Sequence, residues 1–160
     1  MNQPKAPAVE AQAVAAAPAE PPRPVLVAVR LMYAGAALTA VGLVISAIAV
    51  ATGENALRAS HPQATAAQLH ATQNILITLA IVSGLIEIGA WLLMARANRA
   101  GLKWARIAAT VLLALGTWSL VAHIAGNSTA TSLAYTSATW VVGLAAVALL
   151  WRKDSSAYFS

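Results

Sequence analysis

Four stretches carry an apolar residue at most positions and almost no charge: Leu31–Thr52, Asn74–Ala95, Trp104–Ala125 and Leu133–Trp151. Each is 19 to 22 residues long. A helix rises about 1.5 Å per residue, so about 20 residues cross a hydrocarbon core of about 30 Å. Lipid offers no partner to free backbone groups, so such spans are helical. The pattern predicts an all-α membrane protein, a four-transmembrane-helix bundle formed as one domain over residues 25–153. An Ala/Pro-rich tail at 1–24 precedes it and a short tail at 154–160 follows.

Within the spans the polar positions are ordered. Gly35, Thr39, Gly42 and Ser46 recur at spacings of 4, 3 and 4, which places them on one helix face. Ser132, Thr136, Thr139, Gly143 and Ala146 repeat that stripe in the fourth span, and Thr110, Ala114 and Thr117 lie on the third. Small faces let helices approach closely, and Thr and Ser can hydrogen-bond across the contact. A compact bundle with its small faces inward is expected, although a homo-oligomer could use some of those faces. The short connections RANRAGLKW and GNSTATS make antiparallel pairs of spans two and three and of spans three and four. In the longer first connection S-H-P-Q reads as a helix start, with Ser60 as the cap and Gln63 three residues on. The second helix is then expected to begin outside the apolar region, carrying His70 and Gln73 on its first turns.

Charge adds an orientation. Of ten basic residues, nine flank the N-terminal end of the first span, the second connection or the end of the fourth span; only Arg58 lies elsewhere. By the positive-inside rule both termini are cytoplasmic, in a plasma membrane. The net charge of +5 is therefore expected to meet anionic headgroups and not nucleic acid. Charged residues make up 9% of the chain and mean hydropathy is +0.70, far from a soluble domain. There is no cysteine, which removes disulfide, thiol and iron–sulfur chemistry. Residues 1–24 hold six of the seven prolines and are expected to be an extended, solvated tail, not a cleaved signal peptide. Its PPRP stretch fits the pattern of a proline-recognition ligand, but the composition favours a plain disordered tail.

Three segments, LRASHPQATAAQLHA, IEIGAWLLMARANRAGLKWARIAATVL and WVVGLAAVALLWRKDSSAYF, together resemble a family of small four-span membrane proteins from actinobacteria. The shared features are a proline-rich tail, an outer R-x-x-H-P stretch, an inner A-R-A-N-x-x-G-x-x-W-A-R loop and a W-R ending with a short aromatic tail. The inner loop is the most specific, carried here by Ala95, Arg96, Ala97, Asn98, Gly101, Trp104, Ala105 and Arg106. The resemblance covers roughly residues 25–159. It implies the fold and the membrane location and brings no activity with it.

Glu87 is the one acid within the spans. It lies about 13 Å from Arg96 along a helix, near the midplane, on a face made of Ala80, Ser83, Gly84, Ala90 and Trp91. That face is expected to turn into the bundle, where depth matching sets Thr39, Thr110, Thr139 and Gly143 beside it. A charge at a helix centre costs on the order of 3 kcal/mol, so an intramembrane acid is either a proton- or cation-handling group or an interhelical hydrogen-bond partner. His61, His70 and His123 are placed on the outer side; nine residues separate the first two, too far out of phase to share a ligand face, and no metal is expected. Ser119 and His123 stand four apart without an acid to orient the histidine. No phosphate loop or nucleotide fingerprint is present, so no cofactor and no enzymatic chemistry are expected. Arg96, Arg99, Lys103 and Arg106 are the candidate contact surface for lipid or a membrane protein partner. The function expected is that of a structural or accessory membrane subunit or scaffold. The alternative is a small transporter or channel subunit using Glu87.

Overall fold

The computed structural model describes residues 20–126 and 128–159. All but the last few residues of the Ala/Pro-rich tail therefore fall outside the described residues. The elements are α1 (Arg23–Thr52), α2 (Glu54–Ser60), α3 (Ala66–Arg99), α4 (Lys103–Ala125), α5 (Ala130–Leu150) and α6 (Lys153–Ser156), closed by a 3-10 turn at Ala157–Phe159. No strand occurs among the described residues. α1, α3, α4 and α5 are each long and apolar enough to cross a membrane. They run alternately up and down. One end of the bundle gathers the start of α1, the α3–α4 connection and the C-terminal turns; it is called the basic end below.

The helices extend beyond the apolar windows where the sequence permits it. α1 starts eight residues early, at Arg23, because Pro24 falls in its first turn, where a missing N–H costs nothing. α3 starts at Ala66 and, as expected, runs from outside the apolar region into it. Its cap, however, is Thr65 and not Ser60. Both S-H-P-Q and T-A-A-Q fit the capping pattern, but residues 54–60 coil into α2. The Ser60 hydroxyl turns back to the carbonyls of Ala56 and Leu57, at 3.1 and 2.9 Å. At the true start the Gln68 N–H donates to Thr65 Oγ1 at 3.3 Å, and the Thr65 N–H donates to Gln68 Oε1 at 2.8 Å. Replacing Thr65 by alanine is expected to cost about 1 kcal/mol and to speed amide exchange over residues 66–69 alone. Just beyond, Gln73 donates to the carbonyls of Val50 and Ala51 at 2.8 and 3.0 Å, fastening α3 to the end of α1.

Packing is uneven. α1 lies along α3 and, on another side, along α5; α4 packs on α5. α3 and α4 scarcely touch, although only Ala100, Gly101 and Leu102 join them. The expected pairing of spans two and three is therefore corrected: a short connection pins two helix ends together and does not dictate contact along their length. The bundle is not closed on every side. Its core is Val25, Ala28, Val29 and Met32 of α1, Met94 and Ala95 of α3, Ala109 of α4, Ala146, Val147 and Leu150 of α5, and Phe159. All lie toward the basic end. Farther along, residues such as Ile75, Leu79, Ile86, Leu115 and Ile124 are exposed, the ordinary condition of a surface bathed in lipid.

The small-residue stripes do bring helices together. Gly35 of α1 receives the indole of Trp91: a Cβ there would stand 2.9 Å from Cδ2 and Cε2. Gly42 receives the ring of Tyr135, and Gly84 the side chain of Leu43. Gly143 meets the far edge of Trp91 and Leu113 at ordinary distance. Ser46, the last member of that stripe, is exposed. α4 and α5 are joined by two matching rungs: Trp140 Nε1 donates to Thr117 Oγ1 at 2.9 Å, and Trp151 Nε1 to Thr110 Oγ1 at 3.0 Å.

Candidate functional site

Where α3 and α4 part, a cavity of about 330 Å³ opens, backed by α5 and bordered by Met32 of α1. Its lining is mostly apolar. Glu87 and Trp91 come from α3, Leu113 from α4, and Tyr135, Thr139 and Trp140 from α5. Ser119 and Thr136 also reach it.

Glu87 is held from one side. The Thr39 hydroxyl, 1% exposed, donates to Glu87 Oε1 at 3.2 Å. Tyr135 adjoins Thr39 and lies within electrostatic range of Glu87. No ion pair reaches Glu87 among the described residues; the ion pairs seen are Arg58–Glu54 and Arg152–Asp154, both exposed. Glu87 is itself exposed, since it stands at the mouth of the open side instead of inside a closed bundle. Of the residues placed beside it by depth, Thr39 is its partner and Thr139 and Gly143 share its cavity. Thr139 gives its hydroxyl to its own helix, at the carbonyls of Tyr135 and Thr136.

Two of the expected neighbours lie elsewhere. Thr110 is turned to Trp151 and to the Arg106 carbonyl, 2.9 Å away, and does not line the cavity. Ser83 donates to the Ala80 carbonyl at 3.2 Å and faces outward. Depth fixes how far along a helix a residue sits, but not the helix's rotation. Three aromatic residues complete the site: Trp91, from the face of Glu87, and Tyr135 and Trp140 of α5, which depth matching does not single out. A signal for two of them existed. Tyr135 and Thr139 are four apart, as are Thr136 and Trp140, so both rings share the fourth-span stripe. Trp91, on the face of Glu87, is half-buried between Gly35 and Gly143.

The histidines are not part of this cavity. His61 and His70 are exposed, and His123 Nδ1 lies 2.9 Å from the Ser119 carbonyl. Among the described residues no three His, Asp or Glu side chains are grouped as metal ligands.

The second candidate region, the basic end, divides in two. Arg96, Arg99 and Lys103 are exposed and free to meet headgroups or a partner. Arg106 is instead engaged within the chain: its guanidinium lies 3.9 Å from the Trp151 ring centroid and 5.9 Å from that of Phe159, and it donates to Ser156 Oγ at 3.3 Å. The rest of the inner-loop motif is divided too: Arg96 and Trp104 are exposed, while its small residues are packed. Ala95 and Ala105 are fully buried. Gly101 adopts φ 69°, and a side chain there would press on Tyr158. The Tyr158 hydroxyl donates to the Arg99 carbonyl at 2.6 Å. Asn98, fully buried, donates to the Met94 carbonyl at 2.8 Å, and its Oδ1 has no partner among the described residues. The short tail after the fourth span is thus folded onto the loop through Ser156, Tyr158 and Phe159. Compared with known proteins, the chain matches no family model, no curated protein and no solved structure.

Proposed function

We propose that this protein is an integral plasma-membrane subunit or scaffold without enzymatic chemistry, oriented with both termini in the cytoplasm. Its exposed Arg96, Arg99 and Lys103 then face the anionic inner leaflet. The observation that carries this reading is where the polar side chains go. Thr39 with Glu87, Trp140 with Thr117, Trp151 with Thr110 and Tyr158 with the Arg99 carbonyl all join one element to another. They are used for assembly, and among the described residues no nucleophile stands with a base and an orienting acid. Affinity capture in mild detergent with mass spectrometry tests the reading: a second copy or one membrane protein is expected at constant stoichiometry. A lone monomer would remove it. Orientation is checked by a reporter fused after Ser160, active only in the cytoplasm.

A second reading is favoured by one observation. Glu87 fronts a cavity instead of being sealed between helices, as suits a small transporter or channel subunit handling protons or cations. In liposomes Glu87→Gln is expected to abolish proton or cation flux on that reading. Equal flux in both proteins would end it.

A further inference from the structure

The cavity between α3 and α4 combines features that suit one class of ligand. It is apolar, about 330 Å³, and of a size that holds small organic molecules. A single carboxylate stands at its opening, with three aromatic rings around it. We propose that it binds a lipophilic organic cation, such as an aryl-alkyl quaternary ammonium, with the charge at Glu87 and the apolar body among Trp91, Tyr135 and Trp140. The proposal deepens the cation-handling reading of the same carboxylate, and binding rather than flux is its readout.

Three observations support this class. First, Glu87 is only half-satisfied. Thr39 occupies Oε1, and no other hydrogen bond reaches the carboxylate among the described residues. Near the membrane midplane an uncompensated carboxylate is costly, and a bound cation removes that cost. Second, the rings are fixed in advance. Trp91 is wedged between Gly35 and Gly143, Tyr135 rests on Gly42, and Trp140 is tied to Thr117. Aromatic faces attract quaternary ammonium groups, more strongly when desolvated, and prepositioned rings lose little entropy on binding. Third, among the described residues no cationic side chain pairs with Glu87 or lines the cavity. Arg106 is committed to Trp151 and Phe159. The depth also selects the source. Glu87 is about 13 Å along the helix from Arg96, too far inside for the headgroup of an ordinary bilayer lipid.

The test is calorimetric titration of the full chain in detergent with benzyltrimethylammonium. The wild type is expected to bind saturably. Glu87→Gln keeps an acceptor for the Thr39 hydroxyl and removes only the charge; it is expected to weaken binding at least tenfold. Thr139→Leu leaves the charge and fills the cavity, and is also expected to weaken binding at least tenfold. Absent saturable binding in the wild type would overturn the proposal. So would equal affinity in Glu87→Gln, which would mark a cavity filled by acyl chains through its apolar lining alone. Were Glu87→Gln not to fold, unchanged affinity in Thr139→Leu would overturn it by itself. Binding without liposomal flux leaves the site standing and removes the transport reading. Flux without binding does the reverse.

Discussion

Replacing Gly35 by leucine is expected to lower the stability of the helical domain by about 3 kcal/mol, the upper part of the range for inserting carbon into a packed interior. Gly35 is buried, and even a Cβ there would stand 2.9 Å from the Trp91 indole. A leucine brings three further carbons. The indole has little room to retreat, because its far edge already meets Gly143, whose Cβ position lies 3.6 Å from Trp91 Cη2. The strain must therefore part α1 from α3, the most extensive helix pair in the molecule. Glycine itself is a weak helix former, so any added side chain gains up to about 1 kcal/mol of propensity. Gly89→Leu isolates that gain: it lies on the same helix as Trp91 with nothing within 4 Å of its Cβ position. Thermal unfolding of both variants in one detergent decides the matter. Gly35→Leu is expected to melt well below the wild type and Gly89→Leu at or slightly above it. Equal melting would show that the α1–α3 seam contributes little.

This contrast marks what could be read from the sequence. The stripe of Gly35, Thr39 and Gly42 announced a close contact, and the contact is there, because small residues four and three apart must share a face. Which helix fills each notch was not legible. A glycine records the room it leaves and not the ring that enters, so Trp91 and Tyr135 had to be found in three dimensions. The four spans were legible because no breaker interrupts them, and their ends less so because hydropathy stops before the helix does. Depth places Thr39 among four neighbours of Glu87, and the structure joins the two by a hydrogen bond. Thr110, another of the four, lies elsewhere, because α4 is rotated toward Trp151 by the two indole rungs it shares with α5. The separation of α3 from α4 was hidden for a related reason. Both helices are held mainly by third parties, α3 by α1 and α4 by α5, and no local pattern encodes that preference. The acid is plain in the sequence, whereas its setting at an open cavity depends on this gap.

At the basic end the expected result is that Arg106→Ala releases the C-terminal turns, at a cost of about 2 kcal/mol. The guanidinium does three things there. It stacks on Trp151 at 3.9 Å, approaches Phe159 at 5.9 Å and donates to Ser156. A cation over an indole contributes roughly 0.5–1 kcal/mol at an exposed site and about 2 when desolvated. Trp151 is 51% exposed, so the stacking itself takes the lower figure, and the approach to buried Phe159 with the hydrogen bond to Ser156 brings the sum to about 2 kcal/mol. The planar fork can lie over the ring and still point an N–H at Ser156; an ammonium group cannot do both. Arg106→Lys is therefore expected to recover less than half of the loss although it restores the charge. Carboxypeptidase digestion is the measurement. Residues after Trp151 should be trimmed faster in Arg106→Ala, at an intermediate rate in Arg106→Lys and slowest in the wild type. Arg99→Ala serves as the control, since Tyr158 bonds to the backbone carbonyl of Arg99 and not to its side chain. Were Arg106→Lys to protect the tail fully, charge alone would suffice and stacking would not be the cause. Were Arg99→Ala to expose it as much as Arg106→Ala, the positive cluster as a whole would hold the tail, and the division of the basic end into exposed and engaged arginines would be wrong.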